Sequence, residues 1–293
     1  FFTIPREGRI EDFVTRMIDT RLSGAESYRL HVRPEGITIS AGTPRGLFYA
    51  MQSVRQLIAT SVGRIPCMCI CDEPAYPYRA FMIDCARHFF TVADLKKMID
   101  AAALFKMNVF HWHLTDDQGW RAEVKKHPEL TEIGSMRRSS DFGGIHVAGP
   151  YGGAYTQEQM KEIVAYCAER YIEVVPEFDM PGHTSALLAA HPALSCTGGP
   201  FQVQTKQGIF KDILCAGKEE TFRLIFDVLE EMLAVFPSRY IHIGGDEAPK
   251  ARWKACPDCQ ARMREEGLSS LQALQGYFMN RIISWLGDRG RAA

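Results

Sequence analysis

No stretch of this 293-residue sequence approaches the roughly 18 uninterrupted apolar residues that a membrane-spanning helix requires. Nor is either charge in excess: 34 Lys+Arg stand against 35 Asp+Glu, a formal net charge of −1. That balance excludes a generally basic nucleic-acid binder and an acidic solvating tail. The marks of disorder are missing too, since 46% of the residues are hydrophobic and 24% charged, as in an average globular protein. Phe1 opens the sequence with no basic–apolar–small signal pattern behind it, so any export signal is expected upstream.

Nine cysteines cannot all pair within one chain. Cys67, Cys69 and Cys71 alternate, which puts them on one face of a strand, where buried thiols are expected. Cys256-Pro257-Asp258-Cys259 is a CxxC with no second Cys/His pair after it at finger spacing, so neither structural zinc nor redox chemistry is expected of it. No metal or cofactor is expected.

Two patterns of organisation follow one another. Residues 9–22 carry Ile10, Phe13, Val14, Met17, Ile18 and Leu22 at helical spacing. Residues 28–33 and 36–40 alternate around Pro34-Glu35-Gly36, a hairpin pattern. Thr43-Pro44 reads as the N-cap and first residue of a helix with a stripe from Leu47 to Ile58. Residues 65–71 read as a strand. Residues 1–72 are thus expected to form a small α+β domain, and 72–78, with Pro74 and Pro77, a linker.

From residue 79 strands alternate with helices. Strands are expected at 80–84, 107–114, 172–178 and 240–243, helices at 92–106, 156–170, 219–236 and 271–286, and a glycine-rich loop before residue 156. Near-continuous apolar strands separated by helices imply a parallel sheet covered on both faces. The strands end in acids: Asp84 with Arg87; Asp116 and Asp117; Glu177, Asp179 and His183; Asp246 and Glu247. Polar residues gathered at those ends mark a TIM-type (β/α)8 barrel. A doubly wound sheet would carry a glycine-rich phosphate turn after its first strand, and there is none. No strand is expected after Leu286, so the barrel is expected to be truncated to about its first four β/α units, over 79–293.

Three motifs carry chemistry. In His242-Ile243-Gly244-Gly245-Asp246-Glu247 the glycines allow the chain to leave strand geometry, so that both acids can face one cleft. Two carboxylates crowded there repel, and one is expected to hold its proton. A helix N-terminus could also collect two acids. Asp179-Met180-Pro181-Gly182-His183 sets an acid and an imidazole across a tight turn. His111 and His113 share one strand face and read as packed or hydrogen-bonded histidines. A metal site would have only His183 and His242 to add to them.

The segments Arg79–Phe90, Phe110–Asp117, Pro176–His183 and His242–Glu247 resemble, in order and spacing, family 20 glycoside hydrolases, the β-N-acetylhexosaminidases. The residues before Asp72 resemble the small domain that precedes this family's barrel. The resemblance implies exo-acting, retaining hydrolysis of terminal β-linked N-acetylglucosamine or N-acetylgalactosamine, with the substrate's own acetamido oxygen as nucleophile. It implies Glu247 as general acid/base and Asp246 as the residue that holds the acetamido N–H and balances the oxazolinium charge. It implies Arg87 at the sugar hydroxyls, Asp116 and His183 as a supporting pair, and Asp179 orienting His183 or Asp246.

The expected partner is an N-acetylhexosamine-bearing oligosaccharide or glycoconjugate, with no nucleic acid. The location is expected to be periplasmic or secreted if the source is bacterial. The family's aromatic cage comes from strands five to eight, and Trp253 and Trp285 read as helix or packing residues. The 293 residues alone are therefore expected to be inactive or nearly so. Two other readings stay open: a metal-dependent barrel hydrolase using His111, His113 and Asp246, and a non-catalytic sugar-binding protein.

Overall fold

The computed structural model describes residues 1–293. The chain forms two compact units: Phe1–Phe81 with Lys96–Val109 and Tyr166–Ile172, and Met82–Leu95 with Phe110–Ala165 and Glu173–Ala293.

The first unit is built on β1 (Val14–Ile18), β2 (Tyr28–Arg33), β3 (Gly36–Ala41), helix α1 (Pro44–Thr60) and β4 (Met68–Asp72), with sheet order β1-β3-β2-β4. The hairpin pairs Arg33 with Gly36 and Tyr28 with Ala41. Its alternation turns Leu30, Val32, Ile37 and Ile39 inward, against Tyr49, Ala50 and Val54 of α1. Thr43 caps α1 by accepting the Gly46 N–H at 3.1 Å.

Three expectations are corrected here. Residues 9–22 are not a helix: a 3-10 turn, Ile10–Phe13, leads into β1, which runs parallel to β3. The β-branched Val14, Thr15 and Ile18 suit an edge strand, and Met17 and Ile18 lie exposed. The expected strand 65–71 is broken at Pro66, which has no N–H for a ladder, into Arg64–Ile65 and β4. Cys67, Cys69 and Cys71 are exposed, because Met68 and Ile70 take the inward face.

From Ala80 onward β5 (Ala80–Asp84), α2 (Val92–Leu104), β6 (Val109–Asp116), α3 (Gln157–Ala168) and β9 (Glu173–Phe178) alternate, and the sheet order is β9-β6-β5. The buried residues of this sheet include Phe110, Trp112, Leu114, Val174, Val175 and Phe178. Between β6 and α3 lies a hairpin, β7 (Met136–Phe142) and β8 (Ile145–Gly152), where a loop was expected. Gly143 and Gly144, both at positive φ, form the two-residue turn that closes it.

Helices α4 (Glu219–Val235), α5 (Ala251–Ala255), α6 (Pro257–Glu265) and α7 (Leu271–Gly287) complete the chain. Residues 240–243, expected as a strand, make two parallel bridges, Glu177–His242 and Tyr240–Ala292. Beyond β9 that segment has only Ala292 beside it, so no continuous ladder forms. Ile241 N–H donates to Ala292 O and Ala292 N–H to Arg239 O, both at 2.9 Å. A pairing position therefore follows the last helix, where none was expected. Trp253 is a buried residue of α5, and Trp285 lies on α7.

Candidate active site

The strand ends supply a connected set of charges, all within the second unit. Asp84 closes β5 and folds the chain back, its Oδ1 accepting the Ala86 and Arg87 amides at 3.0 and 2.9 Å. The Arg87 guanidinium lies 2.9 Å from Asp84 Oδ2 and 2.7 Å from Asp116 Oδ2. Arg87 Nε donates to Gln118 Oε1 at 3.1 Å. The ion pair with Asp84 is thus real, and it is one of two that aim the side chain. A fully buried Arg121 supports the loop from below, donating to Cys85 O at 2.9 Å and Ala86 O at 2.5 Å. Sequence reasoning had not singled it out.

Asp116 ends β6 and is buried. Burial pushes its carboxyl up, but bonds from His113 and His183 and the charge of Arg87 hold it below its ordinary value. His113 Nε2 lies 2.8 Å from Asp116 Oδ2 and its Nδ1 2.5 Å from Glu177 Oε2. Burial opposes charge on this imidazole, yet the two carboxylates push it up to about 10; Arg87 Nη1 also lies 3.1 Å from its Nε2.

His183 follows the same logic. Its Nδ1 lies 3.2 Å from both Asp116 Oδ1 and Asp117 Oδ2, and those two partners push it up to about 11. Asp117 is itself fixed by the Ser185 N–H and hydroxyl, at 2.9 and 2.6 Å. The other nitrogen of His183 faces the last motif: Nε2 is 3.4 Å from Glu247 Oε2 and 4.0 Å from Asp246 Oδ2. His183 and Glu247 both sit at positive φ, 53° and 42°, backbone that non-glycine residues adopt at a cost.

Asp246 and Glu247 therefore share one turn beside His183. They are not crowded into a dry cleft, however: their side chains are 68% and 51% exposed. The buried acid of this region is Asp179, and its carboxyl is raised. Burial first, then the neighbouring Glu177 and Asp246 charges, push its carboxyl up to about 7. Asp179 Oδ1 accepts the Gly245 N–H at 3.4 Å, and it makes no bond to His183 or Asp246.

Glu177 was noted only as an acid at a strand end, and it does more. It meets three imidazoles, His111 at 2.7 Å, His113 at 2.5 Å and His242 at 2.9 Å. Although burial opposes it, those bonds hold its carboxyl far below the usual range. Histidines at alternate positions of β6 facing an acid two residues before Asp179 were the available signal. A cavity of about 660 Å³ opens beside Arg87 and Asp84 and is walled by Phe142, Val147 and Tyr151; Asp246 and Glu247 do not line it.

Carboxylates at successive strand ends of an α/β fold, with an arginine and an imidazolium between them, are the arrangement of a glycoside hydrolase. The description "Glycosyl hydrolase family 20, catalytic domain" matches residues 76–293, and "Glycosyl hydrolase family 20, domain 2" matches residues 5–73. The chain belongs to glycosyl hydrolase family 20, whose catalytic domain is a TIM barrel.

It is 45% identical over 284 residues to a β-hexosaminidase of Porphyromonas gingivalis, covering 94% of this chain and 36% of that protein. A crystal structure of a β-N-acetylhexosaminidase aligns over 99% of this chain and 62% of its own, with a TM-score of 0.88 and 37% identity. An exo-β-N-acetylglucosaminidase from Vibrio harveyi, solved with N-acetylglucosamine, aligns over 95% of this chain and 45% of its own, with a TM-score of 0.83 and 34% identity. The chain thus spans about half the length, or less, of the curated relatives it matches.

Proposed function

We propose that this chain carries the acid/base side of an exo-acting β-N-acetylhexosaminidase that works by substrate-assisted, retaining catalysis. Glu247 protonates the leaving glycosidic oxygen as the substrate's acetamido oxygen attacks C1 and the C1–O bond breaks. The oxazolinium so formed is opened by water, whose proton returns to Glu247. Asp246 accepts the acetamido N–H and balances the positive charge. Arg87 holds sugar hydroxyls, and Asp116 positions both Arg87 and His183. Asp179, through the Gly245 N–H, positions the turn that carries the two acids.

One observation carries this reading. His183 links Asp116, and through it Arg87, to Glu247 and Asp246, so that residues from separate strand ends form one network. The substrate class is a terminal β-linked N-acetylglucosamine or N-acetylgalactosamine on an oligosaccharide or glycoconjugate. The fold is read as a small α+β domain, 1–72, before about four β/α units of the barrel, 79–293, with Ala292 at the fifth strand's first pairing position. Exposure of Asp246 and Glu247 supports the reading that these 293 residues alone hydrolyse little or nothing.

The test compares this chain with one extended to the length of its relatives, on a chromogenic N-acetylglucosaminide. The extended chain is expected to turn over, and Glu247→Gln and Asp246→Asn to lose most of that activity. Unchanged turnover in both variants removes the assignment. Equal cleavage of a glucoside without the acetamido group removes the substrate-assisted step.

A further inference from the structure

Cys256 and Cys259 lack partners downstream, but the fold brings them partners from upstream. The Sγ atoms of Cys196, Cys215, Cys256 and Cys259 all lie within 4.8 Å of one another. Cys215 is 3.5 Å from Cys259 and 3.7 Å from Cys256, and Cys196 is 3.8 Å from Cys259. Disulfide sulfurs stand about 2.05 Å apart, so these thiols are not bonded to one another. Four sulfurs about 2.3 Å from a tetrahedral zinc are separated from each other by about 3.8 Å. The observed spacings are close to the edges of that tetrahedron. Cys215, Cys256 and Cys259 are buried and Cys196 is half-buried.

The surrounding backbone is shaped for the cluster. Cys256 precedes Pro257 at the start of α6 and Cys259 lies in that helix's first turn, where the dipole favours thiolate. A Cβ at Gly217 would overlap the Asp258 carbonyl and stand 2.5 Å from Cys259 N, so only glycine lets the segment after Cys215 come this close. Trp253 Nε1 donates to Leu214 O at 2.8 Å, and the Cys215 N–H to Leu194 O at 2.8 Å.

We propose that Cys196, Cys215, Cys256 and Cys259 bind one zinc ion as four thiolates. Each thiol gives up its proton, no sulfur is oxidised, and four sulfur–zinc bonds form. The ion staples a long connection, Asp179–Lys218, whose only regular elements are Ser185–Ala190 and Pro192–Leu194. That connection carries His183, and the Leu214 N–H donates to Pro181 O at 3.0 Å, so the staple braces the turn that presents His183.

The test uses the 293-residue chain expressed with added zinc and purified under reductant without chelator. Elemental analysis is expected to find one zinc per chain, released as a mercurial titrates four thiols beyond the three exposed ones, Cys67, Cys69 and Cys71. The cobalt-substituted protein is expected to show a thiolate-to-cobalt charge-transfer band and the visible bands of a tetrahedral site. Cys196→Ser is expected to weaken zinc binding by roughly tenfold or more. Cys67→Ser, exposed and outside the cluster, is expected to leave the metal content unchanged. If Cys196→Ser does not fold, zinc and thiol stoichiometry in the unsubstituted chain decides. Absence of zinc with all thiols freely reactive, stoichiometric iron in its place, or disulfides among the four cysteines by mass spectrometry would overturn the proposal.

Discussion

A Cβ added to Gly244 would collide with the Asp179 carboxylate. Gly244, at φ +67 after the bridged segment 240–243, is thus in direct contact with the buried acid that follows β9. The Gly-Gly step before Asp246 serves close approach as well as turning.

Gly244→Ala is therefore expected to cost roughly 2–4 kcal/mol, from positive-φ strain together with displacement of a buried carboxyl. Gly276, inside α7 with nothing within 4 Å of its added Cβ, is the control. Gly276→Ala is expected to stabilise by up to about 1 kcal/mol through helix propensity. Urea unfolding of the two variants checks both signs.

Asp116 accepts from His113, His183 and Arg87 with no exposed surface of its own. Asp116→Asn leaves those cations without their shared anion, and the expected cost is about 3–5 kcal/mol. If the variant folds, NMR titration is expected to show His183 and His113 moving down from about 11 and about 10 toward the ordinary imidazole range. Unmoved imidazoles would show that Asp117 and Glu177 suffice to hold them.

The raised carboxyl of Asp179 gives stability a pH signature. Its carboxyl rises from 3.8 to about 7 on folding, so between those values the folded state keeps a proton that the unfolded state has lost. Stability therefore falls as pH rises from about 4 to about 7. His113 and His183, raised to about 10 and about 11, contribute fully below the ordinary 6.5, and that contribution is lost progressively as pH rises toward those values. Glu177, held far below 4.5, has the opposite sense and loses its contribution only in acid. Asp179→Asn is expected to flatten the profile between pH 4 and 7 and leave the alkaline fall. Thermal unfolding from pH 4 to 9 measures this, and an unchanged slope would assign it to other groups.

The alternation of strand and helix from Ala80 onward was legible because each strand is a short apolar run that ends in an acid; β6 and β9 are covered on both faces, while β5 leaves Met82 exposed. Segments with weaker physical signatures were not. In residues 9–22 an apolar spacing of three and four fitted a helix, but the free edge of β3 offered backbone partners that a sequence does not display. The glycines at 143 and 144 read as loop, whereas at adjacent positive-φ positions they are the turn of a hairpin. The motifs named Arg87, Asp116, His183, Asp246 and Glu247, which the structure joins through His183 and Asp116. The three imidazoles around Glu177, and the cysteines at 196 and 215 that meet the CxxC, come from segments far apart in sequence. Only the tertiary structure joins them.

The role proposed for Glu247 sets function against stability. The residue is half exposed, and it occupies φ +42, a conformation in which an L side chain is strained and glycine is not. Glu247→Gly removes the side chain and the strain together, and is expected to raise stability by roughly 1 kcal/mol. Glu247→Gln keeps the strain and the shape, and is expected to stay within about 0.5 kcal/mol of the parent, as surface substitutions do. In a chain extended to the length of its relatives, both are expected to lose hydrolysis of a chromogenic N-acetylglucosaminide. A glycine variant less stable than the glutamine one would mean that contact with His183 outweighs the backbone strain. Equal hydrolysis by parent and glutamine variant would mean that the strain serves some purpose other than presenting an acid.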